Sequence, residues 1–480
     1  MSLLDKISKD KKTKYQKLEE KLALKKKSAW EQFTDKQRKE AFKLCDDYKS
    51  FLDRAKTERE AVKEIEAFAK KKGFSEIGEA KELTPGSRVY DIYRNKNAAL
   101  VIAGKRPITE GARIIVSHVD SPRLDLKPHP LYEDSGLAMM KTHYYGGIKK
   151  YQWVNRPFAL HGVVTKKDGT TIDIVIGESE KDPVFVISDL LIHLSKNSQD
   201  KRLASEALKG EELNIIAGNI PVTDDKVKHK VKLAILEHLY DKYGIIEEDF
   251  ASAEIEAVPA GTSKDVGFDR SLIGAYGQDD KVCAFASLAA SDSVKIPEHT
   301  TIILFYDKEE IGSVGNTGAR SNYIEYLFGE LLEMSGKHVS DIEVRKALMK
   351  SSALSADVSA AVNPTFKDVH DAHNSSFCGF GALLEKYNGY GGKYSASDAS
   401  AEYVGIIRKM LNDNKIPWQL GELGKVDEGG GSTIPIFFSN YSMDIIDLGV
   451  AVLGMHSPFE IVSKADMYSA YLAYAAFLES

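Results

Sequence analysis

In four places the chain sets metal-binding or acid–base side chains directly after an apolar run. His118 and Asp120 follow Arg113-Ile114-Ile115-Val116-Ser117, and Glu309-Glu310 follow Thr300 to Tyr306. Asp357 closes Ala353-Leu354-Ser355-Ala356-Asp357, and His456 closes the run from Met443 to Met455. A fifth group, Asp279-Asp280, fronts a helix expected over Lys281 to Ala290, whose N-terminal end tolerates negative charge. Taken singly, each has an ordinary explanation: carboxylates at a helix start are usually caps, His-x-Asp is usually a surface pair, and Glu-Glu is usually solvated. Together, two histidines and several carboxylates at strand ends and helix starts make the ligand set that zinc, manganese or cobalt prefers. Two ions about 3.5 to 4 Å apart need a bridging carboxylate and terminal ligands on either side, and these residues are enough to supply both. Water held between the ions would be acidified into a nucleophile. Neighbours in extended chain point in opposite directions, so one of Glu309 and Glu310 can bind metal while the other faces substrate as general base.

Other chemistries lack their motifs. There is no HExxH helix, no GxxxxGK[ST] loop, no CxxC and no G-x-S-x-G elbow. The glycine-rich EGGGS at 428–432 has no apolar strand before it, so a substrate-side loop suits it better than a phosphate cradle. His370 and His373 have the spacing of one helical face, but they are read as belonging to a polar substrate loop outside the metal ligands.

The elements that must position these groups can be read from periodicity. Residues 37–72 carry a helical pattern, with Ala41, Cys45, Tyr48, Phe51 and Leu52, then Val62, Ile65 and Ala69, up to the stop at Gly73. Apolar strands alternating with helices indicate an α/β fold with a parallel-rich mixed sheet covered on both faces. In such sheets ligands gather outside the carboxyl ends of the strands. Between 126 and 263 the texture changes, with a hairpin signal where Asp168-Gly169 separates two alternating runs. We therefore expect a discontinuous catalytic domain, 1–125 and 264–480, interrupted by a β-rich inserted domain, 126–263.

Composition narrows the function class. At 480 residues, the chain has room for two or three domains, and a net charge of −6 argues against nucleic acid as a partner. Three scattered cysteines (Cys45, Cys283, Cys378) make neither a disulfide framework nor a thiolate metal site, which fits a reducing cytoplasm. No apolar stretch is long enough for a membrane span, and the Lys-rich opening lacks the apolar core of a signal peptide, so it reads as a solvated helix or frayed end.

The segments SHVDSPRLDLKP, YGGI, GQDDKVCAFASL, YDKEEIGSVGNTGA, SADVSAAVNP, SASDASAE and GMHSPFE, in this order and spacing, resemble the M18 metalloaminopeptidases, the aspartyl aminopeptidase relatives. The resemblance runs from about residue 35 onward. It implies two divalent ions, zinc first with manganese or cobalt as alternatives. His118, Asp279 and Asp357 would surround one ion, and Asp279, Glu310 and His456 the other. Asp279 would bridge, Glu309 would be the general base, and Asp120 would orient His118. The insert would dimerise, His193 would reach a neighbouring subunit's site, and the assembly would be a dodecamer built from dimers. Two departures stand out: the family's bridging pair is often Asp-Asn where this chain has Asp279-Asp280, and eukaryotic members place histidines where it has Ala361, Val362 and Asn363. The expected activity is removal of single N-terminal residues from peptides by metal-activated water. The alternatives are a non-catalytic scaffold or cargo-binding shell on the same fold, and a metal-dependent deacylase or carboxypeptidase.

Overall fold

The computed structural model describes residues 12–336, 339–431 and 433–480. Most of the Lys-rich opening (1–11) and Ser432 of the glycine-rich loop lie outside the described residues. Lys14–Leu22, which follows, is an exposed helix with a Thr13–Gln16 capping box.

A nine-stranded mixed sheet forms the centre, in the order Ser75–Glu76, Arg88–Tyr93, Asn97–Ile102, Thr301–Tyr306, Arg113–His118, Ser352–Ser355, Asp444–Gly449, Ala382–Glu385 and Trp418–Leu420. Its four middle strands, Thr301–Tyr306 to Asp444–Gly449, are mutually parallel. Thr301–Tyr306 is buried at every position, as a strand covered on both faces must be. Its side chains alternate between two cores. Ile303 and Phe305 face helices Asp35–Arg54, Glu58–Lys71, Gln278–Ser291 and Lys464–Leu478, while Ile302 and Leu304 face Tyr323–Met334 and Asp341–Met349. The expected helical run 37–72 is two helices, broken between Arg54 and Glu58, where Thr57 caps the second.

A second, six-stranded antiparallel sheet is built from residues 123–259 and has its own core around Trp153, Phe158 and Phe250. The hairpin at Asp168-Gly169 joins Phe158–Thr165 to Thr171–Ile176. A third sheet of five short strands, Lys264–Val266, Leu272–Ala275, Glu460–Ser463, Ala451–Leu453 and Ser359–Ala360, lies in the region that carries Asp279, Asp357 and His456. Among the described residues, no helix is long and apolar enough to cross a membrane.

Candidate active site

His118 is the last residue of its strand and lies in register with Tyr306, so Glu309 and Glu310 emerge beside it. His118 is 1% exposed. Its Nδ1 lies 3.1 Å from the Asp120 carbonyl oxygen, and its Nε2 lies 3.1 Å from Asp279 Oδ1. His456 repeats the arrangement, with Nδ1 2.8 Å from the Gly147 carbonyl oxygen and Nε2 3.2 Å from Asp279 Oδ2. A carbonyl accepts only an N–H, so each ring carries a proton on Nδ1 and turns Nε2 toward Asp279.

Asp279 therefore divides its two oxygens between two clusters. His118, Asp279 and Asp357 form one, and Asp279, Glu310 and His456 the other; in each, the donor atoms lie within 4.8 Å of one another. Glu309 Oε2 stands 3.9 Å from His118 Nε2, and Glu310 Oε2 stands 3.5 Å from His456 Nε2. The two glutamates do not lie in extended chain, as the alternation argument assumed, but on a short 3-10 turn. Left-handed Lys308 (φ 69°) bends the chain immediately before them. Asp120 fixes that turn: its Oδ1 accepts from the Glu309 N–H and its Oδ2 from the Glu310 N–H, each at 3.1 Å.

The charge balance calls for cations. Burial raises Glu309 to about 8, and the carboxylates of Asp357, Asp120 and Asp279 push the same way, opposed by His118. Burial and the Asp279 charge raise Asp357 to about 7, and burial followed by the Asp279 charge pushes Glu310 well above the usual carboxylate range. Burial would raise Asp279 too, but hydrogen bonds with His118 and His456 hold it well below its ordinary value. Glu310 Oε1 is buried without a hydrogen-bond partner. Oxygen and imidazole donors that crowd together, carry excess negative charge and leave one acceptor orphaned fit divalent ions of the zinc class.

The profile of the M18 family, described as aminopeptidase I zinc metalloprotease, matches residues 51–478. This chain belongs to the M18 family. A probable M18 family aminopeptidase 1 of Borrelia garinii subsp. bavariensis is 50% identical over 456 residues, covering 95% of this chain and 99% of that one. The crystal structure of an M18 aminopeptidase from Thermotoga maritima superposes with a TM-score of 0.92 at 46% identity, covering 95% of this chain and 99% of that one. Aminopeptidase I of Clostridium acetobutylicum gives 0.90 at 44% identity, with 96% and 100% covered. The S. cerevisiae mApe1 structure, described as a dodecamer, shares the fold at 22% identity with a TM-score of 0.71, over 90% of this chain and 95% of that one. The protein is a metalloaminopeptidase, a peptide hydrolase of the zinc-dependent class.

Other residues of this M18 chain organise the site without standing out in the sequence. Glu460, 1% exposed, accepts from the Gln278 and Asp279 N–H groups through Oε2 (2.6 and 3.1 Å) and from the His456 N–H through Oε1 (2.7 Å). Tyr145 donates to Asp120 Oδ2 at 2.9 Å, and Ser121 donates to the Asp279 carbonyl at 2.8 Å. Their one signal was membership of the quoted segments, YGGI beginning at Tyr145. Asp280 is fully buried, and its Oδ2 accepts from the His118 N–H at 3.4 Å. Neither His370 nor His373 lies on a helical face: His370 follows a three-residue turn, and its Nε2 accepts from the Asn363 N–H at 3.4 Å. Neither joins the two clusters. His193 sits in the short helix Ile192–Ser195 and is exposed in the single chain, so it is not a packed core histidine.

Proposed function

We propose that the two clusters hold two divalent ions bridged by Asp279, and that Glu309 is the general base of N-terminal peptide hydrolysis. The observation carrying this reading is the split of the Asp279 oxygens between His118 and His456, with Glu309 Oε2 3.9 Å from His118 Nε2. Ions bound there would supply an electrophile for the scissile carbonyl and acidify the attacking water. His118, Asp357, Glu310 and His456 would be terminal ligands. The Nδ1–H bonds of His118 and His456 to carbonyl groups fix each ring's orientation and aim Nε2 at the site. Glu309, which binds no ion in this reading, takes the water's proton and returns it to the leaving amine. Asp120 keeps the two glutamates in their separate roles by holding both backbone N–H groups.

Replacing Glu309 by Gln leaves every ligand in place and removes the proton acceptor. The rate should fall by about 10² to 10⁴ with the metal content unchanged. Near-normal turnover, or a lost ion, would assign the base to Glu310 instead.

The 126–263 insert is proposed to dimerise. Leu190, Leu191, Ile192 and Leu194 are 49, 53, 77 and 65% exposed around His193, an apolar run that favours burial against a second copy. In that arrangement His193 reaches the neighbour's substrate cleft. A dodecamer, the state in which mApe1 is described, is the proposed assembly, here built from such dimers.

A further inference from the structure

Beside the clusters, a row of polar residues crosses the large sheet where apolar side chains would be expected. Ser355 is in register with Asp447, and Asp447 with Glu385 on the next, antiparallel strand. Residues paired in this way present their side chains on the same face. Strands lie about 4.8 Å apart, so Glu385 stands about 10 Å across the sheet from Ser355, which is two residues before the cluster residue Asp357. Contact with the cluster is close on this side: a Cβ added at Gly449 would fall 1.7 Å from the Asp357 carbonyl oxygen, and Gly449 pairs with Leu383. The strand that ends in Glu385 therefore walls the site next to Asp357.

The two carboxylates of this row are not equivalent. Asp447 is satisfied by the Asn388 amide at 2.8 Å and the Thr433 hydroxyl at 3.2 Å. Glu385 is 7% exposed, and its Oε1 has no hydrogen-bond partner. Among the described residues, neither carboxylate has a lysine or arginine as ion-pair partner. Burial pushes Glu385 well above the usual carboxylate range, a hydrogen bond from Ser359 opposes it, and the charges of Asp447, Asp357 and Glu422 push it the same way as burial. Glu422 accepts from the Tyr387 hydroxyl at 2.5 Å. The ions that would balance the Asp279 clusters would still leave Glu385 Oε1 without a hydrogen-bond donor.

We propose that Glu385, backed by Asp447, forms an acidic subsite that receives the cationic side chain of an N-terminal lysine or arginine. This rests on the aminopeptidase reading above and specifies its substrate class. A basic side chain supplies the missing donor and charge at once. An uncharged one leaves the buried acceptor unpaired, and an acidic one adds a like charge.

The test is kcat/KM for lysyl, arginyl, norleucyl, glutamyl and aspartyl p-nitroanilides with the metal-loaded enzyme; norleucine keeps lysine's stem and lacks its charge. Lysyl and arginyl substrates should exceed norleucyl by about tenfold or more. Glu385→Gln should collapse that ratio, and Glu385→Lys should turn it toward glutamyl. A wild-type ratio near one, or a ratio that survives Glu385→Gln, overturns the proposal. So does an equal loss on every substrate, which would place Glu385 at the α-amino group. If the variants do not fold, competition by lysinamide against norleucinamide on the wild type decides: equal inhibition overturns the proposal and stronger lysinamide inhibition upholds it. Failure to cleave any substrate would instead defeat the aminopeptidase reading, and that outcome is separate from any ratio among cleaved substrates.

Discussion

Asp279 is the residue on which the site turns, because it alone belongs to both clusters and its two oxygens face different imidazoles. Its backbone is held as firmly as its side chain: Glu460 accepts its N–H, and the Ser121 hydroxyl donates to its carbonyl. Lys281 in turn donates to Ser121 at 2.6 Å, so the Asp279 peptide is anchored from both ends. Truncating Asp279 to Ala should therefore empty or disorder both metal positions, whereas His118→Ala or His456→Ala should weaken mainly one. Elemental analysis of the purified variants reads this as a pattern of losses. Two ions per chain in Asp279→Ala would rule out the bridging role.

At the scale of elements, the last helix and the loop before strand Ala382–Glu385 are fastened by one buried carboxylate. Asp466, in the first turn of Lys464–Leu478, accepts from the Gly379 and Gly381 N–H groups, both at 2.6 Å, and is fully buried. Replacing it by Ala leaves two buried donors unpaired, which should cost about 3 kcal/mol. A urea denaturation midpoint within error of wild type would refute this account. Asp466 also shows where the sequence becomes hard to read. His118, Glu309-Glu310, Asp357 and His456 could be found because each follows an apolar strand, and a polar group in that place is conspicuous against the period of the run. The Asp279 pair could be found from its place before a helix. Asp466 looks like any acidic residue in a first turn, and its partners lie 85 and 87 residues away. Glu460 has the same difficulty, because its task is to order backbone N–H groups at 278, 279 and 456, and no local pattern encodes that. The third sheet was hidden for a related reason. Its strands are two to four residues long and pair across gaps such as Ile273 to Val462, too short for periodicity to register.

For the whole molecule, the question is how the six-stranded sheet is tied to the catalytic part and what its free surface does. His161 on strand Phe158–Thr165 lies 2.7 Å from Glu60 Oε1 on helix Glu58–Lys71 and 3.0 Å from Glu178 Oε1, and Lys56 reaches that same Glu178 oxygen at 2.6 Å. Burial opposes charge on His161, but the bonds to Glu178 and Glu60 outweigh it and raise its pKa above 6.5. Its stabilising contribution is therefore complete below the unfolded value and is lost as pH climbs through the raised folded value. Unfolding measured from pH 6 to 9 should show a decline that His161→Gln flattens; parallel curves would exclude the pin. In the proposed dimer, the exposed run around His193 makes contact between chains. If His193 completes a neighbour's cleft, then Glu309→Gln subunits, which lack a base, and His193→Phe subunits, which lack the donated histidine, are each inactive alone. Mixing them under conditions that allow subunit exchange creates interfaces where an intact base meets an intact donated histidine. Activity should return in the mixture and rise as exchange proceeds. If both residues served the same chain, every site in the mixture would still lack one of them, and no proportion of the two variants would recover turnover.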